Sequence, residues 1–336
     1  MADVWQEIVE AIRERDSKRA EIIIGRLLKT EMPSSERARA YVYRARTRLL
    51  TLRPDEALDD LQHAQSLSSE VLKDVFAQEV YGDAHLQRFE IASAGFADKT
   101  DVQKALSIYQ QLIQQFPEYD NLGWIYYQLG RATLVNNIPD EARDAFYKGL
   151  FNPSNVKSLT AYCYERLAFI ALYEDRQARY ALTMIDKAID TYPSRETNIW
   201  LIQAHLMRTK ILREIDIERT LISARHTLNL ATSDSSFSKG FLADILFSVA
   251  EIYSKCSGYE RDTIVTLQQF CQVSRRPVGV DVTWSRAHEM LGDAHYALAS
   301  FELALTAYEL CLHYNPYHPW GDAIRERIAQ LTDFKK

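Results

Sequence analysis

Small and apolar residues recur at fixed offsets along the chain, and each set of offsets predicts one helix, a tight turn and a second helix. The clearest set lies in Ala287-His-Glu-Met-Leu-Gly292-Asp-Ala-His-Tyr296 and the residues that follow. Gly292 stands twelve residues before Ala304, and steps of four, three and five then reach Tyr308, Cys311 and Pro316. The proline stops the second helix. Gly292 and Ala304 fall where the two antiparallel helices should cross, a place where a larger side chain would push the backbones apart.

The same offsets return upstream. Gly130 is followed at twelve by Ala142, then by Phe146, Gly149 and Pro153. Ala168 leads, with one extra residue in the turn, to Ala181, Ile185, Ala188 and Pro193. Ala45 leads to Ala57, Leu61 and Ala64, and Pro54-Asp55-Glu56 opens that second helix with a proline and an acidic first turn. Gly82 pairs with Ala105, Tyr109, Leu112 and Pro117 across an insertion of eleven residues. More degenerate sets are Ile8, Ala20, Ile24 and Pro33; Trp200, Ala204, Thr220 and Ala224; and Ala250, Thr263, Leu267 and Phe270. The units therefore fall near 4–33, 38–67, 72–117, 122–153, 160–193, 197–230, 240–272 and 284–317. A last amphipathic helix within 320–336 puts Ile324, Ile328 and Leu331 on one stripe. Irregular joints are expected at 91–101, 233–240 and 274–281.

These offsets, with Tyr41, Tyr126 and Tyr164 four residues ahead of the small residue, resemble the tetratricopeptide repeat family over nearly the whole chain. The anchors at 45, 82, 130, 168, 204, 250 and 292 are 36 to 48 apart, longer than that family's usual repeat of about 34 residues. The resemblance implies an all-α fold: a right-handed superhelical array (α-solenoid) of about eight helix hairpins with a C-terminal capping helix. It further implies that the first helix of each unit lines a concave groove. Positions −6, −3, +1 and +4 from the small residue then face that groove. The peptide-contacting set so implied is Phe76, Glu79, Trp124, Tyr127, Arg131, Tyr162, Glu165, Phe169, His205 and Arg208, with Arg46, Asp83 and Asn198 among the neighbouring positions. Aromatic residues with arginine are the composition of interaction hot spots. The lysine/asparagine clamp by which some family members hold acidic chaperone tails is missing, because these positions offer Glu79, Asp83 and Glu165, and Asn198 is their only asparagine.

Composition agrees with helices. The 336 residues include only 11 Gly and 9 Pro, too few turn residues for a sandwich, a barrel or a Gly-rich nucleotide fold. A net charge of −6 gives no electrostatic footprint for nucleic acid. No apolar run approaches the length of a membrane-spanning helix, and acid stands near the start where a secretory signal would carry base, so a cytoplasmic location is expected. Cys163, Cys256, Cys271 and Cys311 lack CxxC spacing and are read as buried thiols.

Chemistry is sparse. The phosphate-loop pattern is absent: Lys29-Thr30 lacks the glycine before the lysine. His288-Glu289 begins like a zinc-protease helix, but Gly292 replaces the second histidine. His288 and His295 share a helix face near Asp293 and are read as surface histidines in place of a metal site. No metal, cofactor or catalytic residue is assigned. The leading expectation is a non-enzymatic scaffold or adaptor that binds a protein or peptide in the groove of the central units. The second is a regulatory subunit that clasps a catalytic partner through its ends or the inserted loop near 91–101.

Overall fold

A computed structural model describes residues 2–92, 98–192, 199–234 and 237–333. Among them every regular element is helical. The chain divides into two compact units, Met1–Asp175 and Arg176–Lys336.

The first unit holds α1 (Ala2–Arg13), α2 (Ser17–Leu27), α3 (Ser34–Leu50), α4 (Pro54–Leu67), α5 (Val75–Ile91), α6 (Lys99–Gln115), α7 (Leu122–Val135), α8 (Pro139–Phe151) and α9 (Leu159–Tyr173). Each of α1, α3, α5 and α7 packs on its successor as a hairpin, and α1, α3, α5, α7 and α9 also touch one another in turn. The odd-numbered helices thus make one continuous layer within this unit. The second unit holds α10 (Ala178–Thr191), α11 (Ile199–Leu212), α12 (Ile217–Ser233), α13 (Lys239–Ser254), α14 (Glu260–Val273), α15 (Val282–Ala297), α16 (Phe301–Tyr314) and α17 (Gly321–Asp333). Here α11, α13 and α15 pair with their successors and form the corresponding layer. Ile324 and Leu331 of α17 are buried against Ala304, Tyr308 and Cys311, so the last helix covers the outer side of α16.

The crossings obey the expected steric rule. A Cβ added at Gly82 would come within 2.7 Å of the Tyr109 ring, at Gly130 within 2.6 Å of Phe146, and at Gly292 within 2.5 Å of Tyr308. Each aromatic ring occupies the space a Cβ on the facing helix would need, so a larger residue than glycine would have to displace it. Pro54 and Pro139 open α4 and α8 with the acidic pairs Asp55-Glu56 and Asp140-Glu141 behind them. Both pairs meet the positive end of the helix dipole.

Four hairpin turns close in one way. Arg15, Leu52, Asn137 and Ala299 take positive φ, and the next residue donates its N–H five positions back: Asp16 to Ala11, Arg53 to Arg48, Ile138 to Thr133, Ser300 to His295, at 2.8–3.1 Å. This is the left-handed closure that usually takes glycine or asparagine. Only Asn137 is such a residue, so the turn geometry is imposed by the packed hairpin and not by local preference. Of the inserted segment near 91–101, residues 93–97 lie outside the described residues; α5 ends at Ile91 and α6 begins at Lys99.

Candidate functional site

The odd-numbered layer of the first unit carries eight of the ten residues expected to contact a ligand. Phe76 and Glu79 lie on α5, Trp124, Tyr127 and Arg131 on α7, and Tyr162, Glu165 and Phe169 on α9. Phe76, Trp124, Arg131, Glu165 and Phe169 are half-buried, whereas Glu79, Tyr127 and Tyr162 are buried.

Rings run along the layer in two groups. Trp5 of α1 lies 5.5 Å from Tyr43 of α3, which lies 5.0 Å from Phe76, centroid to centroid. Arg39, exposed, sits 4.5 Å over the Trp5 ring. Further along, Trp124 lies 5.3 Å from Tyr127, and Tyr127 lies 5.9 Å from Tyr162. Phe169 packs 4.7 Å from Tyr173 at the end of α9. A row of aromatic contacts therefore follows the order of the helices.

Between the two groups lies a buried polar network centred on Asp83. Its carboxylate accepts from Arg46 Nη1 at 2.6 Å, Tyr109 Oη at 2.8 Å, Trp124 Nε1 at 3.2 Å and Gln128 Nε2 at 2.6 Å. Glu79 accepts from Tyr119 Oη at 2.8 Å and Asn121 Nδ2 at 3.1 Å, and Arg46 reaches it at 3.6 Å. Arg131 donates to Gln128 Oε1 at 2.7 Å and pairs with Glu90. Burial raises the Glu79 pKa, and the Asp83 charge adds to this, against the pull of Arg46. Burial works against the Arg46 charge, but Asp83 and Glu79 outweigh it and its pKa is raised. Tyr109 is pushed well above the usual phenol range by burial and by Asp83, so it acts here only as a hydrogen-bond donor.

The sequence marked Arg46, Glu79 and Asp83 as face positions and Tyr109 as a packing position opposite Gly82, but carried no sign that Tyr109, Tyr119, Asn121 and Gln128 hold the two carboxylates. Tyr119 and Asn121 sit in the connection between α6 and α7, where no helical period points to them. Three polar atoms of the layer stay buried without a hydrogen-bond partner among the described residues: His85 Nε2, Gln87 Oε1 and Arg131 Nε. A separate cleft of about 560 Å³, lined by residues including Leu106, Tyr126, Leu129, Ile138 and Lys148, takes none of the ten expected residues.

In the second unit, His205 and Arg208 stand on α11. Arg208 Nε is bonded to Asp186 of α10 at 2.6 Å, and the His205 ring lies edge-on to His226 at 4.8 Å. Asn198 lies outside the described residues. Burial, with His226 and Arg208 beside it, brings the His205 pKa from 6.5 down to about 4. Above pH 6.5 the ring is neutral folded and unfolded. As the pH falls from 6.5 toward 4 the unfolded chain takes up the proton first, so stability is lost across that window. The loss is on the order of 2 kcal/mol after discounting for the partly exposed ring. Denaturation midpoints measured between pH 7 and 4 should decline less steeply in His205→Gln than in the parent, by about that amount.

Other marked residues are packed. Burial pushes the Cys163 thiol up to about 12, which leaves it protonated and inert as a nucleophile near neutrality. The His288 ring, expected at the surface, is buried 5.7 Å from Trp284 and 5.3 Å from Tyr314, because the apolar side of α15 turns onto α14 and α16. Among the described residues no helix is long and apolar enough to cross a membrane.

Helix hairpins that close on small residues and pack in chain order define a tetratricopeptide-repeat-like, all-helical array. The apo form of the quorum sensor NprR from B. thuringiensis matches it with a TM-score of 0.61 at 13% identity, over 92% of this chain and 86% of that one. Looser overlaps are NprR in complex with its cognate peptide NprX (TM-score 0.49, 12% identity, 99% and 83% covered) and PilF of Pseudomonas aeruginosa (0.47, 10%, 88% and 99%). No protein-family model matches the sequence, and no curated protein matches it. At such identities the likeness is one of fold.

Proposed function

We propose that the chain is a non-enzymatic scaffold or adaptor that takes a protein or peptide segment along the odd-numbered helix layer of its first unit. The observation that carries this is the half-covered set Phe76, Trp124, Arg131, Glu165 and Phe169, aligned across three successive helices. Glu79, Tyr127 and Tyr162 form the wall behind it, with charges already neutralised, so ligand binding adds no unpaired buried charge. His205 and Arg208 are proposed as contacts of the same kind on the second unit. NprR takes a peptide of its own, NprX, but the reading here rests on this chain's side chains. Four free cysteines suit a reducing cytoplasm.

A display library of random peptides panned on the purified chain tests this. Enriched peptides should bind at least about tenfold more weakly to Phe76→Ala/Phe169→Ala, as loss of two aromatic anchors implies. Thermal unfolding should place the variant within a few degrees of the parent. If no peptide is enriched, or if the variant binds equally well, the groove reading fails. Loss of a captured partner on deleting 92–99, with the aromatic variant unaffected, would instead identify a regulatory subunit acting through its inserted loop.

A further inference from the structure

Two segments of the second unit meet at one edge: the loop from α14 to α15 (274–281) and the turn from α16 to α17 (315–320). They are tied together at Tyr314, whose carbonyl accepts from the Asp281 N–H at 2.8 Å and whose hydroxyl accepts from Arg276 Nε at 3.1 Å. From this edge project Val278 (101% exposed), Val280 (65%), Val282 (67%), Tyr317 (89%) and Trp320 (65%). Large apolar side chains left exposed on two segments that are tied together mark an interaction surface.

The exposure is built in. In the turn, Tyr317 N–H donates to Asn315 Oδ1 at 3.1 Å and Trp320 N–H donates to His318 Nδ1 at 3.2 Å. His318 is itself buried, 3.2 Å from the Glu289 carboxylate through Nε2. The backbone is thus held so that both rings point outward. In the loop, Gly279 at φ +95 makes the tip from which Val278 and Val280 extend. Arg275 and Arg276 stand exposed at its base. The acid of this loop, Asp281, is engaged in capping α15 through the Trp284 N–H at 2.8 Å. Across the turn, Asp322 is paired with Arg325 at 2.7 Å.

We propose that this edge is a peripheral membrane-docking surface that seats on anionic lipid. Val278, Val280, Tyr317 and Trp320 enter the headgroup layer, where rings with an apolar body and a polar edge are favoured. Arg275 and Arg276 meet the negative headgroups. A lipid surface fits better than a folded protein partner because the patch is convex at its tip: Val278 stands wholly in solvent, and a bilayer interface needs no complementary pocket to receive it. The net charge of −6 disfavours anionic surfaces for the chain as a whole, so contact depends on this local basic pair and weakens with salt.

The test uses the full chain in vesicle flotation, with phosphatidylcholine vesicles and with phosphatidylcholine–phosphatidylserine vesicles. Binding is expected to the second and to be much weaker with the first. It should fall at least about tenfold in Val278→Asp and in Trp320→Ser, and roughly fivefold for each arginine in Arg275→Gln and Arg276→Gln. Val278, Trp320 and Arg275 are exposed, so thermal unfolding should not change in their variants, whereas Arg276→Gln also gives up the bond to Tyr314 and is compared with the parent at a temperature where both are folded. Absence of binding to both vesicles overturns the proposal, as does binding that Val278→Asp and Trp320→Ser leave intact. Concentration-dependent self-association without lipid, abolished by Val278→Asp, also overturns it and assigns the edge to a second copy of the chain.

Discussion

Asp83→Ala is expected to destabilise the first unit by about 3–5 kcal/mol, the cost of leaving one member of a buried ion pair without its partner. The Arg46 guanidinium keeps Glu79 at 3.6 Å but loses its 2.6 Å bond to Asp83. Tyr109, Trp124 and Gln128 lose their acceptor in the same step. Water that enters the vacated space takes over most of these donors, and any donor it does not reach moves the loss toward the upper end of that range. Urea denaturation followed by far-UV circular dichroism measures the loss. The companion variant Asp83→Asn should lose less, because its amide oxygen still accepts from part of the donor set while Arg46 keeps Glu79. An alanine variant no worse than the asparagine would mean that the network contributes little beyond its packing.

Gly123→Ala should also be severe, at about 3 kcal/mol, the upper range of overpacking costs. A Cβ there would lie 2.7 Å from the Asn152 carbonyl oxygen, 3.0 Å from that of Gly149 and 2.9 Å from Leu159 Cδ2. Two of these atoms are backbone of the next helix and its exit, tied back by the Gly123 N–H to the Pro153 carbonyl at 2.8 Å, so no rotamer change relieves the clash. Gly25→Ala is the matched control. That glycine lies within α2 with nothing within 4 Å of the added carbon. Relief of backbone entropy should stabilise the chain there by about 0.5–1 kcal/mol. The same chemical change is thus expected to move the denaturation midpoint in opposite directions at two helical sites. Equal shifts would refute the close approach of α7, α8 and α9.

The contrast between Gly123 and Gly130 shows how far the fold can be read from the chain. Gly130 belongs to a pattern, with Ala142 twelve residues on and Phe146 after it, and the Phe146 ring does lie against it. Gly123 belongs to no such offset, and its need for a bare backbone comes from three helices converging. The turns repeat the lesson: Leu52 and Ala299 close hairpins in a conformation that neither residue type favours. Among the expected ligand contacts, the shared face of the positions on α5, α7 and α9 was legible from helical spacing only once the family resemblance had said which face to take. That Glu79 is bonded internally to Tyr119 and Asn121, 40 and 42 residues away, was not.

By itself the sequence determined the helical hairpins, their order and the small residues at their crossings. Those features follow from helical period and from sterics between segments a dozen residues apart, which a single stretch of chain records. Only the tertiary structure decided which face charges are already spent, which rings remain half open, and where unpaired polar atoms and exposed valines are left. Each of those depends on groups brought together from distant helices, as Asp83 is with Arg46 at a separation of 37 residues and with Trp124 at 41. A charge on a helix face looks the same in the sequence whether water or a buried partner will satisfy it.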